Sequence, residues 1–85
     1  MADDVAEGSE GKSGFEWSPA KRQRVLKGRK IDFVDAAKGL LGPVYEFRSD
    51  RHSEERFVAI GPLLDGTLIV IVYTIRDSKI RIITA

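Results

Sequence analysis

The eight residues from Thr67 to Thr74 constrain the fold more than any other part of the chain. Every residue in this run is apolar, aromatic or β-branched. Such side chains favour a strand, and a run that is apolar on both faces is typical of a central strand covered on each side. The chain has 85 residues, which is room for one domain, so the other segments are expected to pack around this strand.

Alternating segments on either side of this run predict three more strands. With the central run they make a four-stranded antiparallel meander, with strands expected at residues 44–48, 56–60, 67–74 and 79–84. In the first of them, alternation places Tyr45 and Phe47 on one side of the strand. Turn-forming residues in Leu63–Gly66 and Arg76–Ser78 separate the last three strands.

The segment before the meander predicts a short strand and a first helix. Phe15–Trp17 alternates, which suits a strand with both aromatic side chains on one face. Ser18 suits an N-cap, and the proline that follows it suits the first helical turn. The first helix is therefore expected over Pro19–Lys27, with a stop at Gly28 and its basic side chains in water.

A second helix is marked by a core-facing stripe. Asp32 can cap it, and apolar residues follow at the spacing i, i+3, i+4, i+7 and i+8, namely Phe33, Ala36, Ala37, Leu40 and Leu41. Gly42 and Pro43 then end the helix. The order of one short strand, two helices and a four-stranded meander predicts an α+β domain over residues 15–85.

Charge is unevenly distributed along the chain. Residues 1–14 hold four acidic side chains and one lysine, a charge of −3, and are expected to form a disordered acidic tail. The net charge is +1, so the remainder carries +4, and residues 21–30 hold six basic side chains and no acidic one. This pattern indicates a polyanionic ligand, with a solvated helix face as the alternative. The candidate phosphate-binding residues are Lys21, Arg22, Arg24 and Lys27.

Several classes of protein are excluded by composition. One histidine and no cysteine leave no ligand set for zinc, and the chain has no phosphate-binding glycine loop and no nucleophile elbow. No metal and no cofactor are therefore expected. The first ten residues are acidic and do not resemble a signal peptide, and Leu68–Tyr73 is too short to span a bilayer. A cytoplasmic location without membrane contact follows as an expectation.

The remaining chemistry is a set of long basic side chains with one histidine, which suits RNA cleavage without a metal. In that reaction the ribose 2′-hydroxyl attacks the adjacent phosphate, so an enzyme must accept a proton, stabilise the added negative charge and protonate the leaving 5′-oxygen. Arginine stabilises phosphoryl oxygens, and histidine or tyrosine can transfer protons. The candidate catalytic residues are His52, Arg56, Tyr73, Arg76 and Arg81.

Some of these candidates have a structural alternative. His52 can simply be an exposed loop residue, Arg56 can form a surface ion pair with the neighbouring glutamates, and Tyr73 can close the core.

Short motifs along the chain, taken together, resemble those of the BrnT toxins. They are Phe15–Lys21, Ile31–Phe33, Asp50–His52, Glu54–Phe57, Ile60–Gly61, Val72–Thr74 and Ile80–Ile83. The resemblance implies a RelE-like fold, endoribonuclease activity and a BrnA-type antitoxin that carries a ribbon-helix-helix element. DNA contact would then occur only through the antitoxin.

The chain also departs from that family in ways that keep other functions open. Val25 replaces a usual asparagine, Arg29 and Lys30 replace a common His-Gly pair, and the family normally continues past the last strand into a further helix. A toxin-like module that binds an antitoxin or RNA without cleavage is therefore a competing hypothesis. A third is a structural subunit whose final strand leaves an open sheet edge to recruit another chain.

Overall fold

The computed structural model describes residues 14–50, 54–63 and 65–85. Within them the chain forms two helices and five strands, in the order β1 (Phe15–Trp17), α1 (Pro19–Arg29), α2 (Phe33–Leu40), β2 (Tyr45–Arg48), β3 (Phe57–Pro62), β4 (Leu68–Arg76) and β5 (Lys79–Thr84). The predicted α+β class and element order are confirmed. The predicted acidic tail lies outside the described residues, apart from Gly14. Neither helix in the described part of the chain is long and apolar enough to cross a membrane.

The five strands form one sheet in the order β1-β5-β4-β3-β2. Strands β2 to β5 pair antiparallel with their sequence neighbours, which is the predicted meander. Strand β1 pairs in parallel with β5, so the sheet is mixed. The hypothesis of an open edge at the final strand is wrong, because β1 covers the outer side of β5 and the edge strands are β1 and β2.

Both helices pack on the same face of the sheet. Trp17 of β1 and Phe33 of α2 meet edge to face, with ring centroids 6.2 Å apart. The other buried apolar residues around them come from both helices, from strands β1, β3, β4 and β5, and from the residue after β5: Phe15, Val25, Ala36, Ala37, Ala59, Ile69, Ile71, Tyr73, Ile82 and Ala85. We call this side the helix-covered face and the other side the helix-free face.

The expectation that β4 is covered on both sides is therefore wrong for the first part of the strand. Ile69 and Ile71 are buried on the helix-covered face, whereas Leu68 and Val70 on the opposite face are largely exposed. The apolar pattern of the strand is correct, but neither helix lies over its second face.

Helix α1 begins as predicted but ends later. The Ser18 hydroxyl accepts a hydrogen bond from the Lys21 backbone N–H at 3.3 Å, which confirms the N-cap. The predicted stop at Gly28 is wrong, because the helix continues to Arg29. Lys30 then adopts a left-handed conformation, with φ of 62°, and its backbone N–H donates to the Leu26 carbonyl. A left-handed cap of this type is usually glycine, and a lysine here gives no sequence signal for the helix end.

Helix α2 follows its predicted stripe for most of its length. The Asp32 carboxylate accepts from the Val34 N–H at 3.0 Å and caps the helix. Phe33, Ala36 and Ala37 are buried, but Leu41 lies at the C-cap and is exposed. The stripe therefore ends one residue earlier than the spacing indicated.

Gly61 on β3 allows the residues just before β2 to approach β3 closely. A Cβ added at Gly61 would lie 2.7 Å from Cγ1 of Val44 and 3.2 Å from the Pro43 carbonyl oxygen. Real Cβ atoms do not tolerate the shorter of these contacts, so Val44 can lie this close to residue 61 only while that residue is glycine. Gly28, in contrast, has open space around the same position.

We expect Gly61→Ala to lower the free energy of unfolding by about 1–3 kcal/mol, because the added methyl group forces Val44 and the backbone near it to shift. Gly28→Ala is the matched control, and we expect it to raise stability by roughly 0.5–1 kcal/mol, because alanine is the better helix former. Urea unfolding followed by circular dichroism measures both. Equal effects of the two substitutions would contradict the close approach at Gly61.

Candidate active site

Strand register collects charged side chains on the helix-free face, at one end of the sheet. Side chains alternate along β4, so Thr74 and Arg76 point away from the buried Tyr73. Thr74 pairs with Arg81 of β5, and Arg81 in turn pairs with Glu16 of β1. The three neighbouring strands β4, β5 and β1 thus bring residues far apart in sequence onto one surface.

Arg81 is the most enclosed charge of this surface, with only 5% of the residue exposed. Its guanidinium lies 3.3 Å from the Glu16 carboxylate, which is also largely shielded from solvent. A buried charge requires a partner, since removing water from it is unfavourable without compensation. The parallel pairing of β1 with β5 supplies that partner.

Glu54 links two further arginines at the same end of the sheet. Its carboxylate accepts from Arg56 Nε at 2.9 Å and lies 3.6 Å from the Arg76 guanidinium. The Thr74 hydroxyl donates to the Glu55 carbonyl at 2.6 Å, which fixes this segment over the end of β4. We call Arg56, Arg76 and Arg81 the arginine group.

Strand register and the shared partner Glu54 place the members of the arginine group near one another. Arg76 and Arg81 are diagonal neighbours on adjacent strands, a relation that places Cβ atoms about 7–8 Å apart and within reach of long side chains. Arg76 is the most accessible of the three, with its side chain 45% exposed. Guanidinium groups bind phosphoryl and carboxylate oxygens through paired hydrogen bonds, so this surface is suited to an anionic ligand.

Tyr73 does not join the arginine group, although sequence reasoning proposed it beside these residues. It lies on the helix-covered face, stacked on Phe57 with ring centroids 5.3 Å apart. Its hydroxyl donates to the Glu46 carboxylate at 2.6 Å. Burial, together with this hydrogen bond to Glu46, raises the pKa of Tyr73 to about 12, so the phenol stays protonated at neutral pH.

His52 lies outside the described residues, so its proposed role in proton transfer stays a prediction from the sequence.

The basic helix α1 lies on the opposite side of the sheet from the arginine group. Arg22 is engaged within the fold: its Nε and one terminal nitrogen bind the two Asp32 oxygens at 2.9 and 3.1 Å, which ties α1 to the cap of α2. Arg24 and Lys27 are exposed, and Lys21 is half-buried. The predicted phosphate-binding residues are thus divided between a structural role and an exposed basic surface.

A separate cavity of about 500 Å³ lies between the end of α2 and the β3–β4 turn. It is lined in part by Lys38, Pro43 and Leu63. This is the end of β3 opposite to Arg56, so the cavity contains none of the arginine group. Within the described residues, no cluster of three or more acidic or histidine side chains is arranged to hold a metal ion.

Comparison with known proteins identifies the family. Residues 17–85 match the family model of the ribonuclease toxin BrnT of type II toxin–antitoxin systems. The chain belongs to the BrnT family. Membership implies an RNA target and an antitoxin partner. None of the curated proteins compared with the chain matches it. The resemblance drawn from the sequence motifs is therefore confirmed for all but the first residues of the toxin domain.

Sequence reasoning did not assign three members of this surface to the candidate site: Glu16, Glu54 and Thr74. Glu54 had a visible signal, since it stands two residues before Arg56 and was recognised as a possible ion-pair partner. Glu16 had none, because only the parallel pairing with β5 brings it to Arg81. Thr74 acts through its hydroxyl bond to the Glu55 backbone, which no local pattern reports.

The Arg22–Asp32 pair gives a prediction about stability. We expect Arg22→Ala to lower the free energy of unfolding by about 1 kcal/mol, because it removes a bidentate, partly shielded ion pair. Arg24→Ala, on the exposed side of the same helix, is the control and should change stability by less than about 0.5 kcal/mol. If chemical unfolding shows the same loss of stability in both variants, the Arg22–Asp32 contact adds nothing to the free energy of unfolding.

The same pair predicts an acid-dependent loss of stability. The hydrogen bond from Arg22 holds the pKa of Asp32 below its ordinary value, against the opposing effect of burial. The ionised Asp32 carboxylate therefore makes its full contribution to the free energy of unfolding above the ordinary carboxyl pKa. That contribution is lost as the pH falls through the lowered pKa of Asp32 in the folded state. Between about pH 6 and pH 2, the wild-type chain should lose more stability than Asp32→Asn. Parallel pH profiles for the two proteins would rule out this linkage.

Proposed function

We propose that this BrnT-family chain is a metal-independent endoribonuclease whose arginine group binds the phosphate that is cleaved. The observation that carries the proposal is the convergence of Arg56, Arg76 and Arg81 on one surface of a ribonuclease-toxin fold. The charge requirement of RNA cleavage fits these side chains. The ribose 2′-oxygen attacks phosphorus, the bond to the 5′-oxygen breaks, and between those events the non-bridging phosphoryl oxygens carry extra negative charge.

The three arginines differ in exposure, and the proposal gives them different roles. Arg76 and Arg56 are the more accessible and contact the phosphoryl oxygens. Arg81 lies beneath, paired with Glu16, and adds positive potential in a shielded environment where electrostatic effects are stronger than in water. Glu54 holds Arg56 and Arg76 in position until a phosphate replaces its carboxylate.

Proton transfer is assigned to His52 on sequence grounds. An imidazole can accept the 2′-hydroxyl proton or donate to the leaving 5′-oxygen near neutral pH. Tyr73 is left out of the proposed centre, because its hydroxyl is on the other face of the sheet and bound to Glu46.

The basic helix supplies a second, weaker contact with RNA. Arg24 and Lys27 are exposed on α1, and Lys21 stands near its start. A strand of RNA that meets both these residues and the arginine group must pass around an edge of the sheet. We assign to α1 a sequence-independent contribution to affinity that weakens with salt.

The proposed partner is a BrnA-like antitoxin with a ribbon-helix-helix element, and DNA is contacted only through it. Both proteins are proposed to act in the cytoplasm, where RNA is the available substrate. These assignments rest on the family resemblance and not on the geometry of the arginine group.

The activity is tested by cleavage of a defined RNA in the presence of EDTA. We expect the wild-type chain to cleave, and Arg76→Ala to lower kcat/KM by about 10²-fold or more, because a charge-stabilising donor is lost. Arg76→Lys should fall in between, since it keeps the charge but not the paired hydrogen bonds. Lys38→Ala, an exposed cation on α2, is the control and should cleave at the wild-type rate.

The outcomes separate the proposal from its main competitor. Binding of RNA without cleavage by the wild-type chain favours the non-catalytic module. Loss of activity on addition of EDTA contradicts metal independence, and an unchanged rate in Arg76→Ala removes the arginine group from the reaction.

Tyr73→Phe tests the exclusion of this residue from the centre. The variant keeps the ring stacked on Phe57 and removes only the hydroxyl that donates to Glu46. We expect a folded protein that cleaves RNA at a rate near that of the wild-type chain. A collapse of the rate with unchanged thermal stability would show that the phenol takes part in the reaction.

A further inference from the structure

Large apolar side chains are concentrated on the helix-free face. Of the six that are exposed in the described part of the chain, four lie on this face and two lie elsewhere. The four are Tyr45, Phe47, Leu68 and Val70, each between 44% and 70% exposed. We call these four residues the apolar patch. Contiguous exposed patches of this kind on a small protein mark interaction surfaces.

Strand register makes the apolar patch continuous. Tyr45 of β2 pairs with Ile60 of β3, and Ile60 pairs with Val70 of β4. Phe47 pairs in the same way with Val58, so half-buried aliphatic side chains fill the space between the edge strand and β4. The patch therefore spans three neighbouring strands.

The apolar patch and the arginine group belong to one surface. Along β4, residues 68, 70, 72, 74 and 76 share the helix-free face, so the strand leads from Leu68 and Val70 to Thr74 and Arg76. A segment bound over the patch and extended along β4 reaches Arg76 after about 20 Å of strand. Apolar contact at one end and an anion-binding group at the other define the chemistry of the occupant.

We propose that the apolar patch is the docking surface of the antitoxin, and that the bound segment places acidic side chains on the arginine group. Carboxylates and phosphates bind guanidinium groups through the same paired hydrogen bonds, so this segment excludes RNA by occupying its site. Glu54 and Glu16 already show carboxylates bound to these arginines. The inference rests on the proposed function, because competition with RNA requires that RNA binds the arginine group.

A protein occupant fits the β4 part of the apolar patch better than RNA does. The phosphate backbone gains nothing from Leu68 and Val70, which carry no hydrogen-bond donor and cannot stack on bases. Protein interfaces, in contrast, derive most of their affinity from central apolar and aromatic anchors surrounded by polar contacts. The chain belongs to a family that is paired with an antitoxin, so a protein of this kind is available.

The experiment compares two sets of substitutions on the same strand. Leu68→Thr with Val70→Thr removes the apolar side chains of β4 from the patch and keeps residues that favour strands. Ile75→Thr is the matched control, because Ile75 is also on β4 and 59% exposed but lies on the opposite face. The binding partner is the BrnA-like antitoxin of the proposed function, purified separately. Thermal unfolding checks that both variants remain folded.

We expect the patch variant to bind this antitoxin about 30-fold or more weakly than the wild-type chain, the scale of a hot-spot loss. It should cleave RNA at the wild-type rate and be neutralised less by added antitoxin. Ile75→Thr should match the wild-type chain in both measurements. An antitoxin that binds the patch variant with wild-type affinity, or that does not bind the wild-type chain, overturns the inference.

Other occupants give different results. If the patch variant loses RNA affinity, the patch is part of the RNA site and the inference fails. If light scattering finds a dimer of the wild-type chain that the patch variant does not form, a second copy is the occupant. Failure of the proposed function gives a different result: the wild-type chain binds antitoxin through the apolar patch but does not cleave RNA.

Discussion

The packing of both helices on one face of the sheet is the constraint on which the rest of the structure depends. Trp17, Phe33 and Ile71 form the centre of the only extensive core in the described residues, and each lies on the helix-covered face. The alternation of strands then assigns every second residue to the opposite face, where neither helix excludes solvent. The core and the arginine group are thereby placed on different faces of the sheet, and a substitution on one face need not affect the other.

The helix-free face depends on the core through the first strand. Phe15 and Trp17 bury their rings on the covered side, and this anchors β1 beside β5 with Glu16 between them. The carboxylate of Glu16 therefore reaches Arg81 because two aromatic residues fix its strand, not because the ion pair itself holds β1 in place. A shielded ion pair adds little net stability, since desolvation offsets attraction, but it gives the guanidinium a fixed position. Packing of the core therefore positions the buried member of the arginine group, Arg81.

Local patterns predicted the parts of the fold that depend on neighbours in sequence. The stripe from Phe33 to Ala37, the N-caps at Ser18 and Asp32, and the meander all follow from spacings within about ten residues. The parallel pairing of β1 with β5 joins residues more than sixty positions apart, and no periodicity encodes it. The end of α1 was missed because Lys30 adopts a left-handed conformation that glycine usually takes. For the candidate site, sequence identified the arginines but not which face carried them, so Tyr73 was grouped with residues on the other side.

The ion pairs of the arginine group are compatible with the proposed role of the same side chains in phosphate binding. Arg56 was open to both, as a surface partner of glutamate or as a phosphate ligand, and it does form the ion pair with Glu54. That pair holds the guanidinium in one orientation before any ligand arrives, which lowers the entropy lost when a phosphate binds. When a phosphate replaces the Glu54 carboxylate, Arg56 exchanges one set of charge-assisted hydrogen bonds for another. The free-energy cost of breaking the Arg56–Glu54 pair is therefore small. The same exchange is available to an acidic segment of a protein, so the proposed RNA contact and the proposed antitoxin contact would use one mechanism.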